Sequence, residues 1–142
     1  MGTLKVKEKV YLIDLGTGTD RSLLPLACGL ISSYAKSIPE ISQNYDINIS
    51  MLGQGLDELV EEVHDPAVVG VSCYVWNFLG SVEISRRLKE KYPKVLIVWG
   101  GPSIPARPDR IKQFLSEYPW VDILVHQEGE LTFADILLKR LV

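Results

Sequence analysis

Five strand-like runs, each followed by a stretch of helical periodicity, constrain this 142-residue chain more than any other feature. Val10–Leu15, Ala67–Val75, Lys94–Trp99 and Val121–Val125 read as strands, and Ala67–Val75 is apolar enough to be buried on both faces. In 46–50, Ile47 and Ile49 alternate with Asp46, Asn48 and Ser50, as in a half-exposed strand. Between and after them run helical patterns: 23–37, 56–63, 78–92, 108–118 and 130–141. Strands separated by helices require crossover connections, and crossovers make a parallel sheet. The pattern therefore predicts one α/β domain, a doubly wound five-stranded parallel sheet of Rossmann-like or flavodoxin-like type, three layers α/β/α.

Several local expectations follow. Leu23, Leu26, Ala27, Leu30, Ile31 and Tyr34 form an apolar stripe on the first helix, with Pro25 in its first turn. Residues 38–45, with Pro39, read as a connector. Leu79, Val82 and Leu88 form the inward face of 78–92, and Glu83, Arg86, Arg87 and Lys89 the outward one; Pro93 ends that helix. In 108–118 the inward residues are Ile111, Phe114 and Leu115.

Composition narrows the function classes. Net charge is -3 and no basic stripe is present, which argues against nucleic acid as a partner. No long apolar span and no basic-then-apolar leader occurs, so neither a membrane helix nor a signal peptide is expected. Cys28 and Cys73 are read as buried free thiols of a cytoplasmic protein, and two distant cysteines cannot supply an iron–sulfur or zinc site alone.

In open parallel sheets ligands bind at the carboxyl edge, and several loops meet there. Gly100-Gly101-Pro102 follows the fourth strand. Paired glycines allow close approach by a ligand or by another piece of chain, or simply a tight strand-to-helix turn. After the first strand, Asp14-Leu15-Gly16-Thr17-Gly18-Thr19-Asp20 contains G-x-G. It lacks the third glycine of a dinucleotide fingerprint and the Lys-Ser/Thr of a phosphate loop. After the third, Ser72-Cys73-Tyr74-Val75-Trp76-Asn77 offers a hydroxyl and two flat aromatic rings, or else core packing with Asn77 capping the next helix. The fifth leads into His126-Gln127-Glu128-Gly129-Glu130, where Glu130 suits a helix N-terminus and Glu128 has no evident structural task. His64 and His126 are too isolated to argue for a metal.

Taken in order, Leu24-Pro25-Leu26-Ala27, Ser72-x-Tyr74-x-Trp76-Asn77, Gly100-Gly101-Pro102 and Glu128-Gly129-Glu130-x-Thr132-Phe133 form a set. On these residues the chain resembles the N-terminal cobalamin-binding domain of cobalamin-dependent radical S-adenosylmethionine enzymes, over nearly its whole length. The resemblance implies that cobalamin lies on the carboxyl edge with its nucleotide tail running down between strands. Gly16 and Thr17 would line the lower face. Ser72 would contact the tail, and Ser72, Tyr74 and Trp76 would form the side wall, with Asn77 at its end. Gly100, Gly101 and Pro102 would hold the tail channel, and Glu128 and Gly129 the far rim. No general acid, base, nucleophile or metal ligand is assigned.

Two departures from the family pattern matter. Many cobalamin domains carry D-x-H-x-x-G after the first strand, the histidine binding cobalt from below; here the motif begins Asp14-Leu15-Gly16, with glycine in the histidine's place. That implies a His-off state. Gln127 also replaces the usual first glycine of G-E-G-E. The C-x-x-x-C-x-x-C motif for a four-iron cluster, which goes with S-adenosylmethionine, does not occur in the chain, so a downstream radical domain is expected as partner, in a methyltransferase. A scaffold domain that has lost the cofactor, and an independent flavodoxin-like module taking a phosphate or flavin at residues 16–19, stay open as alternatives.

Overall fold

The computed structural model describes residues 2–16, 25–51 and 55–142. The five strands are β1 (Glu8–Asp14), β2 (Tyr45–Met51), β3 (Pro66–Ser72), β4 (Leu96–Gly100) and β5 (Ile123–Leu124). All neighbours pair in parallel, in the order β2-β1-β3-β4-β5. Helices α1 (Leu26–Lys36), α2 (Pro39–Asn44) and α6 (Glu130–Arg140) pack on one face; α3 (Leu56–Glu62), α4 (Phe78–Lys91) and α5 (Pro108–Glu117) pack on the other. This is the doubly wound three-layer sheet that the strand and helix periodicities predict, with its switch point between β1 and β3.

Side-chain alternation along the strands divides the core in two. Val10, Leu12, Val68 and Val98 face α1 and α6, together with Phe133, Ala134 and Leu137. Tyr11, Ile13, Val69, Val71, Ile97 and Trp99 face α3, α4 and α5. On this second face the Trp99 ring meets Phe78 and Phe114 edge-on, at centroid distances of 6.0 and 5.6 Å. Its buried Nε1 donates to Ser85 Oγ at 2.9 Å, so a polar atom in the core is satisfied from α4.

The structure corrects several local expectations. The inward face of α4 is Ser81, Ile84, Ser85 and Leu88, whereas Leu79 is 81% exposed. Two small serines let the helix lie close to the sheet, which turns Leu79 outward. Pro25 precedes α1 as its N-cap residue instead of sitting in the first turn. The buried positions of α1 are Cys28, Ser32 and Ala35; of the expected stripe Ile31 packs against the core, whereas Leu26 is 71% and Leu30 48% exposed. Residues 39–44 are a short helix and not a connector, because the fixed φ of Pro39 suits its first turn. β3 stops at Ser72, three residues early, because the chain turns into a 3-10 segment at Val75–Asn77.

That turn brings two loops together. Cys73 N donates to Gly100 O at 2.7 Å, and Ser103 N donates to Cys73 O at 3.3 Å. Gly101 has φ +104°, and a Cβ there would stand 2.3 Å from Cys73 O. No side chain fits that space, and no L-residue adopts that backbone comfortably. At Gly100 a Cβ would meet nothing closer than Val125 O at 3.7 Å. The two glycines thus do different work. Gly101→Ala is expected to cost about 2 kcal/mol or more. Gly100→Ala should stay within about 1 kcal/mol of the parent. Urea-denaturation midpoints check both, and equal effects would contradict this division.

Candidate functional site

The carboxyl ends of β1, β3 and β4 and the segment after β5 open into a cavity of about 400 Å³ on the side of α1 and α6. Its floor is built by buried residues: Leu12, Cys28, Gly70, Val98, Val125 and Phe133. Gly70 lies in the middle of the central strand, paired with Leu12 on one side and Val98 on the other. A Cβ on Gly70 would come within 2.8 Å of Leu12 Cδ2 and 3.3 Å of Phe133. The glycine therefore lets these two side chains settle onto the strand and leaves the space above them open.

The upper wall is more polar. Ser72, Tyr74, Gly100, Gly101, Pro102, Glu128 and Gly129 all line it, seven of the residues singled out from the sequence. Gln127 joins them, in the left-handed region at φ +61°, where the chain swings from β5 into α6. A Cβ on Gly129 would lie 3.2 Å from Ile31 Cδ1, so this glycine sets the close approach of α6 to α1 that closes the cavity's outer side. Ala27, Leu30 and Ile31 of the α1 stripe complete that side.

The remaining candidates lie elsewhere. Gly16 (φ +63°) has its N–H bound to Asp14 Oδ1 at 2.8 Å and does not line the cavity. Thr17 lies outside the described residues, as do Gly18, Thr19 and Asp20 of its loop. Trp76 is 59% exposed and stacks on Tyr74, with ring centroids 4.7 Å apart and planes 9° apart. The pair presents a flat aromatic surface beside the opening. Asn77 is buried and does not reach the cavity: its Oδ1 accepts from Tyr74 N at 2.8 Å and its Nδ2 donates to Ser72 O at 3.0 Å. It thus holds the turn that aims Tyr74, and its side chain does not cap α4. His126 Nε2 is 2.6 Å from Pro105 O. His64 lies before β3, at the opposite edge of the sheet.

Sequence reasoning missed the floor. Its residues are ordinary core types, and only Gly70, a glycine inside an apolar strand, carried a signal. Cys28 is among them. Burial, and secondarily the negative charge of Asp14, pushes its thiol pKa up to about 12; burial alone pushes Cys73 up to about 11. Neither is the low-pKa thiol of a nucleophile.

The fold and the site define a class: a doubly wound α/β domain with an apolar, glycine-floored cavity at its carboxyl edge. The family model of the B12 binding domain matches residues 34–137, and the chain belongs to that family. It is 40% identical over 135 residues to 2-(S-pantetheinyl)-carbapenam-3-carboxylate methyltransferase of Streptantibioticus cattleyicolor. It is 38% identical over 135 residues to the cobalamin-dependent radical SAM methyltransferase TokK of Streptomyces tokunonensis. Each alignment covers 94% of this chain and 19% of the relative, so the chain spans about a fifth of their length. Among solved structures, the pilus assembly protein CpaE of Caulobacter crescentus superposes with a TM-score of 0.60 at 14% identity, covering 94% of this chain and 98% of that one. A CheY-like protein, TadZ of Pseudomonas aeruginosa, gives 0.54 at 13% identity, covering 93% and 94%. These two likenesses concern the fold. No helix among the described residues is long and apolar enough to cross a membrane.

The two thiols make a pH prediction. Their folded pKa values lie above the ordinary value of 9.0, so the folded chain holds these protons more tightly than the unfolded chain. That contribution to stability is complete below about pH 9 and is lost as pH rises toward 11 and 12. Urea midpoints should fall across this window, and less steeply in a variant carrying Cys28→Ala and Cys73→Ala.

Proposed function

We propose that this chain is the cobalamin-holding domain of a radical S-adenosylmethionine methyltransferase, with the nucleotide tail of cobalamin in the cavity and the corrin across its mouth. The observation that carries the reading is the apolar cavity at the carboxyl edge of a chain of the B12-binding family. The residues fit the group. Gly100 leaves a space that any side chain would fill, and Gly70 keeps the floor low beneath it. The cavity lies within the roughly 300–1,000 Å³ usual for small-molecule sites, enough for a flat heterocycle but not for a whole corrinoid. The Tyr74–Trp76 stack beside the opening offers apolar surface to a macrocycle.

When bound, cobalamin supplies a cobalt centre that carries a methyl group from donor to acceptor. The chain's own residues position and shield it. Ser72 and Pro102 wall the entry to the cavity, Glu128 and Gln127 stand at the far rim, and the α1–α6 contact through Ile31 and Gly129 bounds the outer side. Reductive cleavage of S-adenosylmethionine by a four-iron cluster is assigned to a further domain. Cys28 and Cys73, the chain's two cysteines, are both buried and cannot make a three-cysteine cluster site.

Neither histidine of the chain suits the lower cobalt position. His126 is engaged by Pro105 O, and His64 is at the wrong edge. The bound state is therefore read as His-off.

Mixing the chain with hydroxocobalamin, desalting and recording the visible spectrum tests the reading. Retained corrinoid absorbance is expected, and Gly100→Leu should weaken retention about tenfold or more by filling the tail space. No retention by the parent chain would remove cobalamin binding by this domain and favour a scaffold role. For the axial position, the reduced cobalt(II) form should give an electron paramagnetic resonance spectrum without axial-nitrogen splitting. His126→Ala should leave it unchanged; a nitrogen splitting lost in that variant would contradict the His-off state.

A further inference from the structure

We infer that the cavity floor selects among corrinoids by the polarity of their lower base, accepting an apolar benzimidazole and rejecting a purine. The inference rests on the proposed placement of the nucleotide tail and goes beyond it to a specificity.

The floor offers a polar base almost nothing to bind. Leu12, Val98, Val125 and Phe133 present only carbon, and all are 5% exposed or less. Gly70 has no side chain, and its strand is paired with neighbours on both sides, so its backbone groups belong to the sheet. Val125 N donates to Trp99 O, and Phe133 N to Gly129 O; Val125 O stands higher, 3.7 Å from where a Cβ on Gly100 would lie, beside the upper wall rather than on the floor. The one side-chain heteroatom on this floor is Cys28 Sγ, a weak hydrogen-bond former. The hydroxyls, amide and carboxylates that line the cavity belong to Ser72, Tyr74, Gln127, Glu128 and Glu130, at strand ends and in the loops above.

A dimethylbenzimidazole ring carries methyl groups on the edge that would meet this floor. Adenine carries an exocyclic amine and ring nitrogens there. Buried against Leu12, Val98 and Phe133, those groups would lose water without gaining partners, which is the situation that discriminates most strongly between otherwise similar rings. Phe133 adds an aromatic neighbour to a benzimidazole that enters.

The experiment compares three corrinoids by quenching of tryptophan fluorescence in the 142-residue chain: cobalamin, its analogue with adenine as lower base, and cobinamide, which lacks the nucleotide. Cobalamin should bind best. The adenine form should bind about tenfold to a hundredfold more weakly, the consequence of one or two unpaired polar groups. Cobinamide should also be weaker than cobalamin. In Val98→Thr, which adds a hydroxyl to the floor at nearly constant shape, the gap between cobalamin and the adenine form should narrow severalfold, with circular dichroism confirming the fold. Equal binding of cobalamin and the adenine form, with cobinamide weaker, would overturn the selectivity while leaving the tail in the cavity. Equal binding of all three would overturn both, because the tail would then lie outside. A gap that Val98→Thr leaves unchanged would assign selection elsewhere and overturn the role of the floor.

Discussion

The contact between Gly101 and the backbone of Cys73 is the constraint on which the site depends. It locks the loop after β4 onto the loop after β3, with Cys73 N on Gly100 O and Ser103 N on Cys73 O. Both strands must end where they do for this to form. Once it has formed, Cys73 is committed to the α4 side of the sheet, and Ser72 and Tyr74 are left on the cavity side. Asn77 then completes the turn from within, bonding Ser72 O and Tyr74 N, so that the aromatic pair stands at the opening.

The two faces of the sheet are unequal, and the inequality makes the cavity. On the α3–α4–α5 face, large side chains fill the space: Trp99, Phe78, Phe114 and Tyr118 pack ring against ring. On the α1–α6 face the strands contribute Gly70 and Gly100 at the carboxyl end, and α1 presents Ala27 and Cys28 there. Small residues on one face and aromatic ones on the other leave a dense layer and an open one. Packing at native density tolerates such an opening where something else is to fill it.

Loops at the carboxyl edge announced themselves through glycine, proline and polar residues among apolar strands, and most of those singled out do line the cavity. Gly101 was legible as a glycine but not in its task, because an approach to another piece of chain and an approach to a ligand demand the same absence of a side chain. Asn77 looked like a helix cap, yet it bonds backward into the preceding turn. The α1 stripe was legible as an apolar face, yet its Leu26 and Leu30 are exposed. Periodicity fixes which residues share a helix face, not what that face meets.

The sequence by itself determined the parallel sheet, its five strands and the edge at which function gathers. Those follow from local periods of two and 3.6 and from the crossover rule, which act within a few tens of residues. It also carried the B12-binding likeness. Only the tertiary structure decided that a cavity exists and what lies on its floor. Leu12, Cys28, Gly70, Val98 and Phe133 come from three strands and two helices, up to 121 positions apart, and nothing in their local sequence says that they meet. The volume they leave arises because strand pairing and the Ile31–Gly129 contact are both satisfied at once.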